Sequence, residues 1–234
     1  MKRIATVCVR GGSKGVKGKN AILLDEKPLL AHSLLQIFES GLFDYVAVSS
    51  DDFGLLDIAS DYGCKDIIKR PAHLATDDAP KLPVVRHCVE EVEKRYGVSM
   101  DICVDFDATS PLRNIEDIKS VLHLCEGSNV SNVITGMQSR RSPYFNMVEL
   151  DENKTPYLSK EPDQKVSRRQ DSPKCYDMNA SIYAWKRGSL FSDKNLFQEK
   201  TKFFEMPEER SIDIDTELDF KFVSFLIAQK KKEL

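Results

Sequence analysis

Near the start of the chain six uncharged residues, Ile4-Ala5-Thr6-Val7-Cys8-Val9, run straight into Arg10-Gly11-Gly12-Ser13-Lys14-Gly15-Val16-Lys17-Gly18-Lys19-Asn20. A continuous apolar, β-branched run that stops at a glycine-rich turn is the pattern of a central parallel strand covered on both faces. Parallel neighbours require crossover helices, and the following residues supply them. Pro28 opens a helical pattern, with Leu29, Leu30, Leu34 and Ile37 at helical spacing. Residues 45–49, 66–69 and 101–107 read as strands, and 51–62, 83–96 and 115–125 as helices. The alternation predicts a doubly wound, mostly parallel α/β sheet.

The rhythm breaks between 137 and 167. There Tyr144-Phe145-Asn146-Met147-Val148 and Pro156-Tyr157-Leu158 alternate apolar and polar residues with no helix between them. This segment reads as a β-rich excursion from the main sheet and a candidate subunit contact, with 1–136 and 168–234 forming the body. A core strand is expected at 180–185. A closing helix is expected over 216–230, with Leu218, Phe222, Phe225 and Leu226 on one packed face. A length of 234 residues suits one such domain with a small appendage.

The chemistry concentrates at two places. The loop 10–20 begins where the first strand ends, and in open α/β sheets ligands bind at the carboxyl ends of the strands. Its glycines let backbone N–H groups approach an anion. Arg10, Lys14, Lys17 and Lys19 add cations for charge-assisted hydrogen bonds to phosphate. The bland alternative is a solvated basic loop. A Walker A loop is excluded, because five residues separate Gly12 from Gly18 and Asn20 follows Lys19 where Ser or Thr is needed. The dinucleotide fingerprint G-x-G-x-x-G is absent as well. Kinase and dehydrogenase readings therefore lose their main support.

The second place is Asp213-Ile214-Asp215. If that stretch is extended, both carboxylates face one side. One or two carboxylates completed by phosphate oxygens are what magnesium prefers. Asp215 also suits a cap for the helix beginning at Thr216, and the two roles are compatible.

A net charge of −3, with cations concentrated at 10–19 and again at Arg168-Arg169, fits a small polyanion and gives no reason to expect nucleic acid. No apolar run reaches the length of a membrane span or a secretory leader, so a cytoplasmic protein is expected. Six cysteines without a C-x-x-C pair read as reduced structural thiols. His32, His73, His87 and His123 belong to no motif and read as structural.

Five ordered segments resemble the acylneuraminate cytidylyltransferases, the CMP-sialic acid synthetases. They are Val9-Arg10-Gly11-Gly12-Ser13-Lys14-Gly15 with Lys19-Asn20; Arg70-Pro71 with Leu74-Ala75 and Asp77; Thr109-Ser110-Pro111-Leu112-Arg113; Arg169-Gln170-Asp171 with Pro173, Tyr176, Asn179 and Ile182-Tyr183; and Asp213-Ile214-Asp215-Thr216. The resemblance implies a fold of the nucleotide-diphospho-sugar transferase type. It also implies transfer of CMP from CTP to the anomeric hydroxyl of a nine-carbon acidic sugar, with release of pyrophosphate. On it, Arg10, Gly12, Ser13, Lys14, Lys19, Asn20, Arg70 and Asp77 would bind nucleotide, and Asp213 and Asp215 would ligate Mg2+. Asp107, Arg169, Gln170, Asn179 and Tyr183 would line the sugar side. Lys14, Arg10 and Asp215 would carry catalysis, with Asp215, Asp213 or a hydroxide on the metal open as proton acceptor. A homodimer is implied, with the excursion reaching towards the partner's site.

Three departures set the chain apart. Asp107 stands where many sialic acid enzymes have Gln, Lys81 where many have a hydroxyl residue, and Asp177 where several have Arg. Ionised Asp only accepts hydrogen bonds, whereas Gln donates as well. With Ser142-Pro143-Tyr144-Phe145-Asn146, these residues are similar to the branch that activates N,N'-diacetyllegionaminic acid, a 5,7-diamino relative of sialic acid. N-acetylneuraminic, pseudaminic or an eight-carbon ulosonic acid are the alternative acceptors. A P-loop phosphotransferase or a non-catalytic nucleotide-binding protein are the alternatives of a different class.

Overall fold

The computed structural model describes residues 1–12, 16–161, 168–192 and 195–232. Its strands are β1 (Arg3–Cys8), β2 (Leu23–Leu24), β3 (Lys27–Pro28), β4 (Tyr45–Ser50), β5 (Asp66–Lys69), β6 (Ile102–Phe106), β7 (Asn132–Gln138), β8 (Val148–Leu150), β9 (Pro156–Leu158), β10 (Tyr176–Lys186) and β11 (Thr201–Glu205). Its α-helices are α1 (Leu29–Ser40), α2 (Phe53–Asp61), α3 (Lys81–Tyr96), α4 (Ile115–Glu126), α5 (Arg187–Ser192) and α6 (Glu217–Lys230).

Seven strands join in the order β11-β7-β10-β6-β1-β4-β5. Strand β1 lies between β4 and β6 and pairs in parallel with both, and β5 continues in parallel beyond β4. Only β10 runs against its neighbours β6 and β7, while β11 is parallel to β7. The mostly parallel sheet is thus as the alternation implies. Helices α1, α2 and α4 cover one face through Leu34, Ile37, Leu56 and Val121. Helix α3 covers the other through Val85, Val89 and Val92, packed against Ile4, Ala47 and Trp185. The sheet is doubly wound.

Local chemistry sets the ends. Asp52 accepts from the Leu55 amide, which starts α2 at Phe53, two residues later than the pattern suggests. Pro80 holds the extended N-cap position ahead of α3 without a side-chain capping bond, and the helix begins at Lys81, ahead of the expected 83. A reciprocal capping box between Asn114 and Asp117 opens α4.

The break in the rhythm has a more specific form than the sequence suggests. Strand β7 stays in the main sheet as far as Gln138, so the departure begins there and not at 137. Strands β8 and β9 then pair only with each other. Residues 162–167 lie outside those described. Strands β7 and β11 have no counterpart in the sequence reading. The expected strand at 180–185 is the inner part of the longer β10, where pairing with β7 shifts register between Met178 and Tyr183 around Ala180, whose φ is +51°.

Helix α6 requires a correction. Leu218, Phe222 and Phe225 are exposed, and the packed side is Phe220, Val223, Leu226 and Ile227 against Leu24, Leu29, Leu112 and Ile214. Apolar residues surround this helix, so their spacing does not choose a face; the position of Ile214 does. All six cysteines are free. Among the described residues no helix is long and apolar enough to cross a membrane.

Candidate active site

The carboxyl ends of β1, β4 and β6 hold the chemistry. Val9 N donates to Ser49 O at 3.0 Å, which carries the chain off β1 along β4. Gly11 N then donates to Asp51 Oδ1 at 3.2 Å. A Cβ at Gly11 would lie 2.6 Å from Asp52 Oδ2, so only glycine lets the loop rest against the start of α2. At Gly12 a Cβ would meet nothing within 4 Å, which leaves its backbone open to a ligand. Ser13 and Lys14 lie outside the described residues.

The loop returns through Gly18, at φ +64°, into the 3-10 turn Lys19–Ala21. Asn20 is buried and its Nδ2 donates to Arg10 O at 3.2 Å, tying the two ends of the loop together. Lys19 Nζ donates to Ile214 O at 2.6 Å and to Asp215 Oδ1 at 2.9 Å. Ile214 N donates in turn to Thr109 O at 2.9 Å, fixing the acid segment beside the turn after β6. Arg10 pairs with Asp77 at 2.6 Å. Arg70 is buried and donates to Ser49 O at 2.7 Å. Arg10, Lys19, Asn20, Arg70, Asp107 and Asp215 line one cavity of about 380 Å³.

Burial, reinforced by the like charge of Asp215, pushes the Asp213 carboxyl up to about 6. Two acids crowded in this way invite a cation. Among the described residues no group of three or more acids, histidines or cysteines is arranged to hold a metal by itself. An ion here would complete its shell with ligand oxygens and water, which is how magnesium binds. The donor set therefore fits.

Asp107 sits at the floor. Its Oδ1 accepts from Thr109 N at 3.1 Å and Thr109 Oγ1 at 2.9 Å, and its Oδ2 lies 3.3 Å from Lys81 Nζ. Burial opposes ionisation, yet Lys81 and the Thr109 bonds outweigh it and bring the carboxyl down to about 2. Arg113, buried below, donates to the Asp107 carbonyl oxygen, to Ser33 Oγ and to Ser181 Oγ. Burial lowers Arg113 to about 10.

The other residues expected on the sugar side are spread out. Tyr183 lines a mainly apolar cavity of about 520 Å³ next to the first. Arg169 lines a third, of about 550 Å³, with Arg140 and Arg141, and donates to Ser139 O at 2.7 Å. Gln170 is exposed on the 3-10 turn Arg169–Asp171. Asn179 turns inward: its Oδ1 accepts from Thr135 Oγ1 and Ser181 N, and its Nδ2 meets Met206 Sδ. In this conformation its hydrogen bonds serve the β10 irregularity. Sequence reasoning missed Asp51 and Asp52, which seat the loop, and Asp105, buried one position inside Phe106. An acid within an apolar strand is the signal that could have revealed Asp105.

A cationic glycine loop at the end of the central parallel strand, met by an acid pair from the far end of the chain, defines a nucleotide-binding enzyme of the nucleotidyltransferase class. Within that class the chain belongs to the family described as Cytidylyltransferase, whose model matches residues 4–231. It is 41% identical over 227 residues to CMP-N,N'-diacetyllegionaminic acid synthase of Campylobacter jejuni, covering 97% of this chain and 95% of that one. It is likewise 41% identical over 228 residues to the Post-translational flagellin modification protein B of Campylobacter coli, with the same coverage. Among solved structures, CMP:2-keto-3-deoxy-manno-octonic acid synthetase complexed with CTP superimposes with a TM-score of 0.69 at 19% identity, covering 98% of this chain and 100% of that one. That likeness is one of fold.

Proposed function

We propose that this cytidylyltransferase moves CMP from CTP to the anomeric hydroxyl of N,N'-diacetyllegionaminic acid and releases pyrophosphate. The observation that carries the transfer is the meeting of the basic loop with the acid pair, Lys19 against Asp215. The acceptor rests on the 41% identity along nearly the whole chain to a synthase named for that product.

The reaction is an in-line displacement. The anomeric oxygen of the acceptor attacks the α-phosphorus, and the bond to the pyrophosphate oxygen breaks on the opposite side. CTP carries about four negative charges, which have to be offset before an oxygen nucleophile can approach. Arg10 and Lys19 face the cavity and offset part of that charge; Ser13 and Lys14 would add to it from the same loop. Asn20 braces the loop from behind, and Arg70 with Asp77 borders the nucleoside side. Asp213 and Asp215 would hold magnesium, which supplies Lewis-acid stabilisation of phosphoryl oxygens. Asp107, kept ionised, accepts hydrogen bonds from the acceptor sugar and does not donate a proton. Tyr183, Arg169 and Gln170 would complete the sugar side, and Asn179 would support it from within.

The reading extends to a cytoplasmic homodimer. It is supported by the free thiols and by the isolated hairpin of β8 and β9, which exposes Val148 and Leu150.

The test is pyrophosphate release from CTP by the purified protein, offered N,N'-diacetyllegionaminic, N-acetylneuraminic and pseudaminic acids with and without Mg2+. Release that depends on both metal and acid, fastest with the first acid, is expected. CTP binding with no release under any condition would leave a non-catalytic nucleotide-binding protein.

A further inference from the structure

Asp105 is a carboxylate at the centre of the sheet. It stands on β6 opposite Thr6 of β1 and Tyr183 of β10, fully buried, among Ile102, Cys103, Val104 and Phe106. Burying a lone carboxylate costs several kcal/mol unless a cation and hydrogen bonds answer it. Its Oδ1 accepts from Thr6 Oγ1 at 2.8 Å. Its Oδ2 lies 3.1 Å from Lys81 Nζ, but without hydrogen-bond alignment.

Lys81 is an unexpected source of that cation. It is the first residue of α3, where a positive charge opposes the helix macrodipole. Burial alone would lower its pKa, and the Asp105 and Asp107 carboxylates outweigh this and hold it above the usual lysine range. The ammonium lies 3.3 Å from Asp107 Oδ2 and 4.7 Å from the centre of the Tyr183 ring. Lys81 also lines both the cavity of about 380 Å³ and the apolar one of about 520 Å³. Molecules occupying the two cavities would meet at this side chain.

We propose that Asp105 is a positioning residue, which sets Lys81 and Asp107 as a donor–acceptor pair for an N-acylamino group of the acceptor sugar. This rests on the acceptor reading above and deepens it. An ammonium beside a carboxylate matches the carbonyl oxygen and the N–H of one amide. The Lys81 ammonium is already answered by the Asp107 carboxylate at 3.3 Å, so a neutral polar group suits the pair better than a further carboxylate. Burial raises the Asp105 carboxyl above the ordinary aspartate value, opposed by Lys81 and the Thr6 hydrogen bond. The neighbouring walls of Pro80, Leu82, Pro83 and Trp185 give the acyl methyl an apolar seat. Asp105 touches no substrate in this arrangement; it acts through Lys81.

Steady-state kinetics with three acids carrying two, one and no N-acyl groups tests this: N,N'-diacetyllegionaminic acid, N-acetylneuraminic acid and 2-keto-3-deoxynonulosonic acid. In the unaltered enzyme kcat/KM should fall as acyl groups are removed. Lys81→Met should raise KM for the diacyl acid about 10- to 100-fold, the effect of losing a hydrogen bond to a charged group. KM for CTP, whose cavity Lys81 also lines, should rise by a clearly smaller factor. Asp105→Asn, which can keep its bond to Thr6, should reproduce that split, and Lys81→Arg should restore part of the loss. Should Asp105→Asn fail to fold, the charge-neutral double variant Asp105→Asn/Lys81→Met supplies the same readout. Folded variants with an unchanged acyl preference, or with both KM values altered alike, would overturn the inference alone. An unaltered enzyme that turns over none of the three acids overturns the proposed function and this inference with it.

Discussion

Lys19 Nζ lies 2.9 Å from Asp215 Oδ1 and 2.6 Å from the Ile214 carbonyl oxygen, so the end of the glycine loop is held against a segment 196 residues away. The Asp215 side chain is 70% exposed, and ion pairs of that kind contribute little to stability. Their value here is the juxtaposition of a cation and a carboxylate at one ligand. Lys19→Met and Asp215→Ala should each reduce CMP-sugar formation by about 100-fold or more, the scale of removing one preorganised electrostatic group. Melting temperatures should move by no more than about 2 °C. A large drop in melting temperature, with activity per folded molecule retained, would make the contact a structural strap.

Asp213 gives the site a pH signature. Its folded pKa, about 6, lies above the ordinary aspartate value because of burial and the neighbouring Asp215. For a raised pKa the stabilising contribution is complete below the unfolded value and is lost as pH rises through the folded one. The metal-free protein should therefore lose stability between about pH 4 and pH 6 on this account. Asp213→Asn should raise its melting temperature at pH 7 by about 2–4 °C, after allowance for solvent screening of a half-buried group. Metal binding works in the opposite sense, since the ligand has to be ionised. Mg2+ affinity, measured by titration calorimetry, should weaken about tenfold per pH unit below 6. An affinity that stays flat from pH 7 to pH 5 would remove Asp213 from the metal site.

Much of this was legible in the sequence, and the exceptions share a cause. The apolar run ending at Arg10 identifies the central strand, because continuous burial has no other economical reading in an α/β chain. The chemistry of the loop and of Asp213-Ile214-Asp215 is legible for a similar reason: few residue types suit triphosphate and magnesium. Asp105 was not legible as a site residue. The cation that answers it arrives from the start of α3, and no local window contains both. Asn179 belongs to a matched motif, yet Thr135 and Ser181 draw its side chain inward, a consequence of the β10 irregularity. The packed face of α6 was misread because Leu218, Phe222 and Phe225 are as apolar as the residues that are actually covered. Spacing cannot decide between faces when both are apolar.

Gly11 offers a test of how the loop is seated. Asp52 caps α2 and at the same time fills the space where a Gly11 side chain would go. Gly11→Ala has to push the loop or Asp52 aside, since real Cβ atoms do not approach an oxygen at 2.6 Å. The change lies at the surface of the sheet end, so the core should hold. CTP affinity should fall about tenfold, with a loss of stability near 1 kcal/mol. Removing the obstacle, including the Asp52 Cβ at 2.9 Å, in the double variant Gly11→Ala/Asp52→Gly, which leaves a residue tolerated at an N-cap, should recover much of the affinity. Failure of the second change to recover any affinity would mean that Gly11 is needed for direct approach to the ligand.

The hairpin of β8 and β9 predicts an assembly. In its register Val148 faces Leu158 and Leu150 faces Pro156, while Glu149 and Tyr157 occupy the alternate face and hydrogen-bond at 3.2 Å. One face is therefore apolar, and Val148 and Leu150 on it are 55% and 60% exposed. A two-stranded hairpin is marginal by itself in water, and an exposed apolar face adds to that deficit. Cover by the same hairpin of a second copy would offset both, because a two-fold interface sets a patch against itself. Sedimentation equilibrium at micromolar concentration should give twice the 26.6 kDa chain mass. Val148→Asp/Leu150→Asp should give the single-chain mass, because each buried dimer contact would then carry unpaired carboxylates. The body should melt almost unchanged, since neither residue touches the main sheet's core clusters. A double variant that remains dimeric would place the interface elsewhere, and a monomeric unaltered protein would remove the dimer altogether.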